Sequence, residues 1–176
     1  LVSEDIDNKI DTIKNSEIFL TQMEAPDEIT IYALKKAREY KCITILNPAP
    51  ARKIDEDNFK LIDFFTPNET EAEFYLNKNI KTDADIKNAA NEFLKKGIKN
   101  VIITLGEKGI YFANRDENFF LEAYKLKQAV IDTTGAGDAF NGAFAVGLAN
   151  DLETTDALAF ANKVAGISTT RLGAAA

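Results

Sequence analysis

Short apolar runs that do not alternate, separated by stretches with helical spacing, leave this chain few folds to choose from. Ile18-Phe-Leu20, Cys42–Leu46 and Val101-Ile-Ile-Thr-Leu105 are rich in β-formers and lack period-two alternation, as strands covered on both faces do. Leu61–Phe65 is a fourth such run. Between them, residues 27–40 place Ile29, Ala33, Leu34 and Ala37 at helical spacing, and residues 82–97 do the same with Ile86, Ala89, Ala90, Phe93 and Leu94. The second stretch opens on Thr82 and Asp85 at capping-box spacing and closes at Gly97. Strands alternating with helices of this length imply βαβ crossovers, hence a parallel sheet with helices on both faces: the fold class is α/β.

Further along, Ile110–Ala113 and Phe119–Leu121 flank the polar turn Asn114-Arg-Asp-Glu-Asn118 and predict an antiparallel hairpin. Two helices are expected to end the chain, from about Gly137 to Ala149 and from about Thr155 to Thr170. With 176 residues and 45% apolar content the chain reads as one domain, residues 1–176. A net charge of −7 argues against nucleic-acid and anionic-membrane partners. No apolar run approaches the roughly 18 residues that span a bilayer, and residues 1–26 are too polar for a secretory signal, so a soluble cytoplasmic protein is expected. There is no histidine, which removes Ser-His-Asp catalysis and histidine metal sites and leaves carboxylate, Lys or Tyr as any general base. The single Cys42 lies in an apolar run and reads as a small core residue.

Chemistry concentrates at Asp132-Thr-Thr-Gly-Ala-Gly-Asp138, which follows Ala129-Val-Ile131 and precedes Ala139-Phe140. This reads as strand, tight small-residue turn and helix start. Small residues at 135–137 let an anion approach the backbone, and the first helical amides carry the positive end of the helix dipole. The string is not a Walker P-loop, since no Gly-Lys-Ser/Thr follows, and Phe140 fills the third glycine position of a dinucleotide fingerprint. By local chemistry alone, Asp138 reads equally well as an ordinary helix cap.

The whole string Asp132-Thr-Thr-Gly-Ala-Gly-Asp-Ala-Phe-Asn-Gly142 closely resembles the C-terminal signature of the ribokinase (PfkB) family of carbohydrate kinases. The resemblance implies a ribokinase-like three-layer α/β/α sandwich with a mostly parallel sheet, whose N-terminal strands and β-lid are absent from this chain. It implies Asp138 as base toward the sugar hydroxyl, with Gly135, Ala136 and Gly137 forming the anion hole. Five further segments match in order. Phe19-Leu-Thr-Gln-Met-Glu24 makes Glu24 a sugar ligand, and Asn47-Pro-Ala-Pro-Ala51 tilts the substrate toward D-ribose. Asn68-Glu-Thr-Glu71 resembles the element that organises Mg2+ through its water shell, although the same pair fits a helix-capping box. Thr104-Leu-Gly106-Glu-Lys-Gly109 resembles the nucleotide loop, and Asn162 corresponds to a residue beside the adenine of ATP. Ser168-Thr-Thr-Arg171-Leu-Gly173, with Asp132 and Thr134, resembles the site of a monovalent cation, K+, held mainly by backbone carbonyls.

The activity implied is ATP-dependent phosphorylation of the primary hydroxyl of D-ribose to D-ribose 5-phosphate. Other sugars or nucleosides of the family (fructose, deoxyribose, adenosine) and a non-catalytic nucleotide-binding module are the alternatives, with a Rossmann-type oxidoreductase a distant third. The resemblance implies a homodimer for the full-length enzyme and little or no kinase activity for residues 1–176 alone.

Overall fold

The computed structural model of the chain describes residues 1–174. Its elements are α1 (Ser3–Asp7), α2 (Ile10–Lys14), β1 (Ile18–Gln22), α3 (Asp27–Glu39), β2 (Ile43–Asn47), a 3-10 turn (Glu56–Leu61), β3 (Phe64–Phe65), α4 (Glu69–Leu76), α5 (Asp83–Lys95), β4 (Asn100–Thr104), a second 3-10 turn (Gly106–Lys108), β5 (Ile110–Ala113), β6 (Asn118–Leu121), α6 (Ala136–Ala149) and α7 (Thr154–Ser168). Among the described residues no helix is long and apolar enough to cross a membrane. The chain divides into two compact units, Leu1–Ile103 with Tyr111–Phe119, and Thr104–Ile110 with Phe120–Ala176.

The six strands form one sheet in the order β1-β2-β3-β4-β5-β6. β1 to β2, β2 to β3 and β3 to β4 are parallel pairs. Residues 105–109 and 114–117 are too short to cross back over a sheet, so β5 and β6 return antiparallel. Parallel pairing of the first four strands needs three long connections: α3 joins β1 to β2, residues 48–63 with the first 3-10 turn join β2 to β3, and α4 and α5 join β3 to β4. α3 buries Ile29, Thr30, Ala33, Leu34 and Ala37, the stripe expected of a helix laid on a sheet. β2, β4 and β5 are almost wholly buried, whereas β1, paired only with β2, is half-exposed. Phe59, Phe65, Tyr75 and Phe93 pack edge-on, with centroids 5.0 to 6.5 Å apart.

The helix signals at Thr82 and Asp85 operate as read. Thr82 Oγ1 accepts the Asp85 amide at 3.2 Å and Asp85 Oδ2 accepts the Thr82 amide at 2.9 Å. Gly97, at φ 104°, then turns the chain beyond the helix end in a conformation that favours glycine. Three expectations need correction. The run Leu61–Phe65 contributes only Phe64–Phe65 as strand, because Leu61 still belongs to the 3-10 turn; Asp63 nevertheless pairs through its backbone with Thr44 and Asn100. Ala129-Val-Ile131 is not a strand: the Ile131 amide donates to the Thr169 carbonyl at 2.8 Å, just past α7, and Val130 and Ile131 stay exposed. The penultimate helix begins at Ala136, one residue early, with Gly135 rather than a side chain as its N-cap. α1 and α2 carry few buried residues and left no periodic signal to read.

The N-terminal ends of β2 to β4 meet at Asp63, a carboxylate 6% exposed. Arg38, in the last turn of α3, donates to both of its oxygens at 2.8 Å, Lys99 stands at 2.6 Å, and the Thr44 amide donates at 3.0 Å. Burial pushes the Asp63 carboxyl up, but Lys99, the Thr44 amide and Arg38 together outweigh it and hold the group below its ordinary value. The folded-state pKa being lower than the unfolded one, the carboxylate's contribution is present above about pH 4 and is lost as pH falls through the folded value. Asp63→Asn is therefore expected to cost about 3 kcal/mol at pH 7, with the gap from the parent protein narrowing below pH 4 in denaturant titrations. The Tyr75 hydroxyl is the opposite case, buried with no well-formed hydrogen bond among the described residues. Burial pushes its pKa up to about 12, the Arg52 backbone opposing. Tyr75→Phe should keep or raise stability, by up to about 1 kcal/mol, and a clear loss in urea unfolding would reveal a hidden partner.

Candidate functional site

In the first unit the polar residues singled out by the sequence sit at the carboxyl ends of adjacent parallel strands, where open α/β sheets bind their ligands. Glu24 lies two residues beyond β1 and is exposed. Asn47 ends β2 in register with Gln22, the last residue of β1. Gln22 Nε2 donates to Asn47 Oδ1 at 2.9 Å, and Asn47 Nδ2 donates to the Thr66 carbonyl at 2.9 Å. A polar line thus crosses three strand ends, with Asn47 itself buried. Gln22 and Thr66 were not singled out in the sequence. The only signal is a polar residue one or two positions past the end of each apolar run, which becomes meaningful once the register is known.

Asn68 and Glu71 are brought into direct contact at the start of α4. Asn68 Oδ1 accepts the Glu71 amide at 2.8 Å, while Glu71 Oε2 accepts the Asn68 amide at 2.9 Å and Oε1 accepts Asn68 Nδ2 at 3.1 Å. The capping box is real and engages both side chains. Burial lifts the Glu71 carboxyl above its ordinary value, with the Asn68 amide pulling the other way.

The second unit contains two glycine turns. Thr104 closes β4, and the Leu105 amide donates to the Gly109 carbonyl at 2.8 Å, closing a tight loop over Gly106–Lys108. Gly106 has φ 57° and open space around it, whereas Gly109 has φ 100° and a Cβ there would lie 2.0 Å from the Leu121 carbonyl oxygen. Glycine is thus demanded at 109 by backbone packing and at 106 by conformation alone.

At the other turn Gly135, in the left-handed region at φ 75°, caps α6 without any side-chain cap bond. Asp138 is the third residue of the helix, exposed in its first turn, so the cap reading of Asp138 does not apply. The Ala136 amide is taken by the Thr133 carbonyl at 3.2 Å. Helix geometry gives the next amides no intrahelical acceptor, and a Cβ at Gly137 would meet nothing within 4 Å. Buried Asn141 braces the turn, donating from Nδ2 to the Gly137 carbonyl at 2.9 Å.

Asp132 ties this turn to the tail of the chain. Its Oδ1 accepts the Thr134 amide at 2.9 Å and its Oδ2 accepts the Gly173 amide at 3.0 Å. The Thr134 amide foremost, then its hydroxyl and the Gly173 amide, hold Asp132 below the usual carboxylate range. Asp132, Thr134 and Gly173 are therefore brought together. The Ser168 carbonyl instead accepts the Arg171 amide at 3.2 Å. Asn162, on α7, donates from Nδ2 to the Glu122 carbonyl at 2.7 Å, so its side chain pins the segment after β6.

Sheet order and the polar strand ends define an α/β protein of the ribokinase-like fold. The structure of Arabidopsis thaliana ribokinase complexed with ribose and ATP superposes with a TM-score of 0.90 at 30% identity, covering 96% of this chain and 54% of that one. In sequence, ribokinase of Staphylococcus aureus is 40% identical over 177 residues, spanning 100% of this chain and 58% of the relative. Deoxyribokinase of Salmonella typhi is 37% identical over 146 residues, 82% of this chain and 47% of the relative. The chain therefore spans about half the length of the relatives it matches. The profile of the pfkB family carbohydrate kinases matches residues 4–176, and the chain belongs to that family.

Gly109→Ala should destabilise the fold severely, by about 3 kcal/mol or more, since a methyl group there collides with backbone. Gly106→Ala should cost only the left-handed penalty of about 1 kcal/mol. Equal melting-temperature losses for the two variants would contradict this account of the loop.

Proposed function

We propose that the whole protein transfers the γ-phosphoryl group of ATP to the primary hydroxyl of D-ribose, giving D-ribose 5-phosphate and ADP. The observation that carries this reading is the turn at 132–138. There a left-handed glycine caps the helix, the space beside Gly137 is open, and a carboxylate stands in the first turn. Asp138 takes the hydroxyl proton as the sugar oxygen bonds to the γ-phosphorus and the bond to the bridging oxygen of ADP breaks. The backbone of Gly135, Ala136 and Gly137 stabilises the charge on the transferring group. A carboxylate suffices as base because, with a loose transition state, the sugar hydroxyl gives up its proton late.

Glu24 holds the sugar in this reading, and Thr104, Gly106, Gly109, Asn68, Gly137 and Asn162 serve the nucleotide. Asn68 and Glu71 would hold Mg2+ through its water shell, a route that suits oxygen donors already engaged in a capping box. When bound, the ion neutralises phosphate charge. Asp132, Thr134, Ser168, Arg171 and Gly173 would hold K+ mainly through backbone carbonyls. The bonds from Thr134 and Gly173 to Asp132 support that grouping, although the Ser168 carbonyl is already shared with Arg171.

A deoxyribokinase among the relatives favours 2-deoxyribose as the second reading of the substrate. Steady-state kinetics of the whole protein on ribose, deoxyribose, fructose and adenosine decide between them, with the highest kcat/KM expected for ribose. Asp138→Asn should lower kcat by about 100-fold or more while ATP binding is kept. Turnover within a few-fold of the parent enzyme would remove Asp138 from the role of base.

A further inference from the structure

Arg52 has no part in the reading above, yet it is fastened to the turn that carries Glu24. Its Nη1 donates to the Ala25 carbonyl at 3.2 Å and lies 3.4 Å from Asp27 Oδ1, in the first turn of α3. On the other side of Glu24, the fully buried Met23 donates its amide to the Ala49 carbonyl at 2.9 Å. Glu24 thus stands between two fixed points, and both fasteners come from the segment 49–52 that follows β2. That segment is anchored in turn by Asn47, which bonds to Gln22 and Thr66. Asp27 and Arg52 are both well exposed, so their ion pair alone carries little energy; the guanidinium's value lies in spanning a carbonyl and a carboxylate at once.

We propose that Arg52 is a positioning residue for Glu24, holding the turn at residues 23–26 in the shape that presents the Glu24 carboxylate to the sugar and thereby setting sugar affinity. This rests on the assignment of Glu24 as a sugar ligand. A turn left loose must be ordered by the substrate on binding, and that cost appears in the KM of the sugar and not in that of ATP. Lysine keeps the charge but lacks the rigid planar guanidinium, and restores the arrangement only in part.

The experiment is a double-mutant cycle on the whole protein, with Arg52→Ala, Glu24→Gln and the pair, reading KM for ribose, KM for ATP and kcat. Arg52→Ala is expected to raise the ribose KM about tenfold and leave the ATP KM within about twofold, with Arg52→Lys in between. In the pair, the ribose KM should be no higher than in Glu24→Gln alone, because Arg52 acts through Glu24. Additive losses, an unchanged ribose KM in Arg52→Ala, or an equal rise in both KM values overturns the proposal. If Glu24→Gln raises the ribose KM and Arg52→Ala does not, only the positioning role falls. If Glu24→Gln has no effect, the sugar assignment falls and this inference with it. Should Arg52→Ala fail to fold, Arg52→Lys takes its place in the same cycle with the same criteria.

Discussion

One carboxylate taken out of water organises the N-terminal edge of the first unit's sheet. Asp63 is buried where the helix α3 ends and β2, β3 and β4 begin, and it is tolerated there because Arg38, Lys99 and the Thr44 amide all converge on it. Its own amide and carbonyl pair with Thr44 and Asn100. A single residue therefore fixes the relative register of three parallel strands and the end of the helix that crosses over them. An uncompensated charge in that position is costly, so the elements that supply its partners are held together by the requirement to satisfy it.

Register fixed at one edge has its consequence at the other. Because β1, β2 and β3 are parallel and paired in step, Gln22 and Asn47, the last residues of β1 and β2, line up with Thr66, the first residue past β3, and share hydrogen bonds. Just past those ends lie Glu24 and the Asn68–Glu71 box, each on a short connection whose backbone is pinned. The second unit solves a similar problem with glycine. The left-handed Gly135 and the crowded Gly109 let backbone turn where a side chain would collide or strain, leaving amides and a first-turn carboxylate at the surface.

Elements with strong local chemistry were legible in the sequence. The capping boxes at Thr82 and Asn68, the apolar stripe of α3 and the hairpin around Asn114 all follow from interactions within a few residues. The elements misread lacked such support. Ala129-Val-Ile131 is β-rich in composition, but strand state needs a neighbouring strand and this segment meets the Thr169 carbonyl instead. Leu61 ends a 3-10 turn, and its carbonyl accepts from the Thr44 hydroxyl at 2.6 Å, a partner 17 residues away that period and propensity do not register.

The α/β class, the glycine turns and the residues of the family signature are legible in the chain's primary structure, because each is written in local spacing or in which side chains the backbone tolerates. Three-dimensional pairing was needed to bring Gln22 and Thr66 to Asn47, Arg52 to the turn beside Glu24, and Gly173 to Asp132. Those depend on contacts between residues some 20 to 40 positions apart, which parallel pairing and the chain's return past the turn bring together, and no local pattern encodes such a separation.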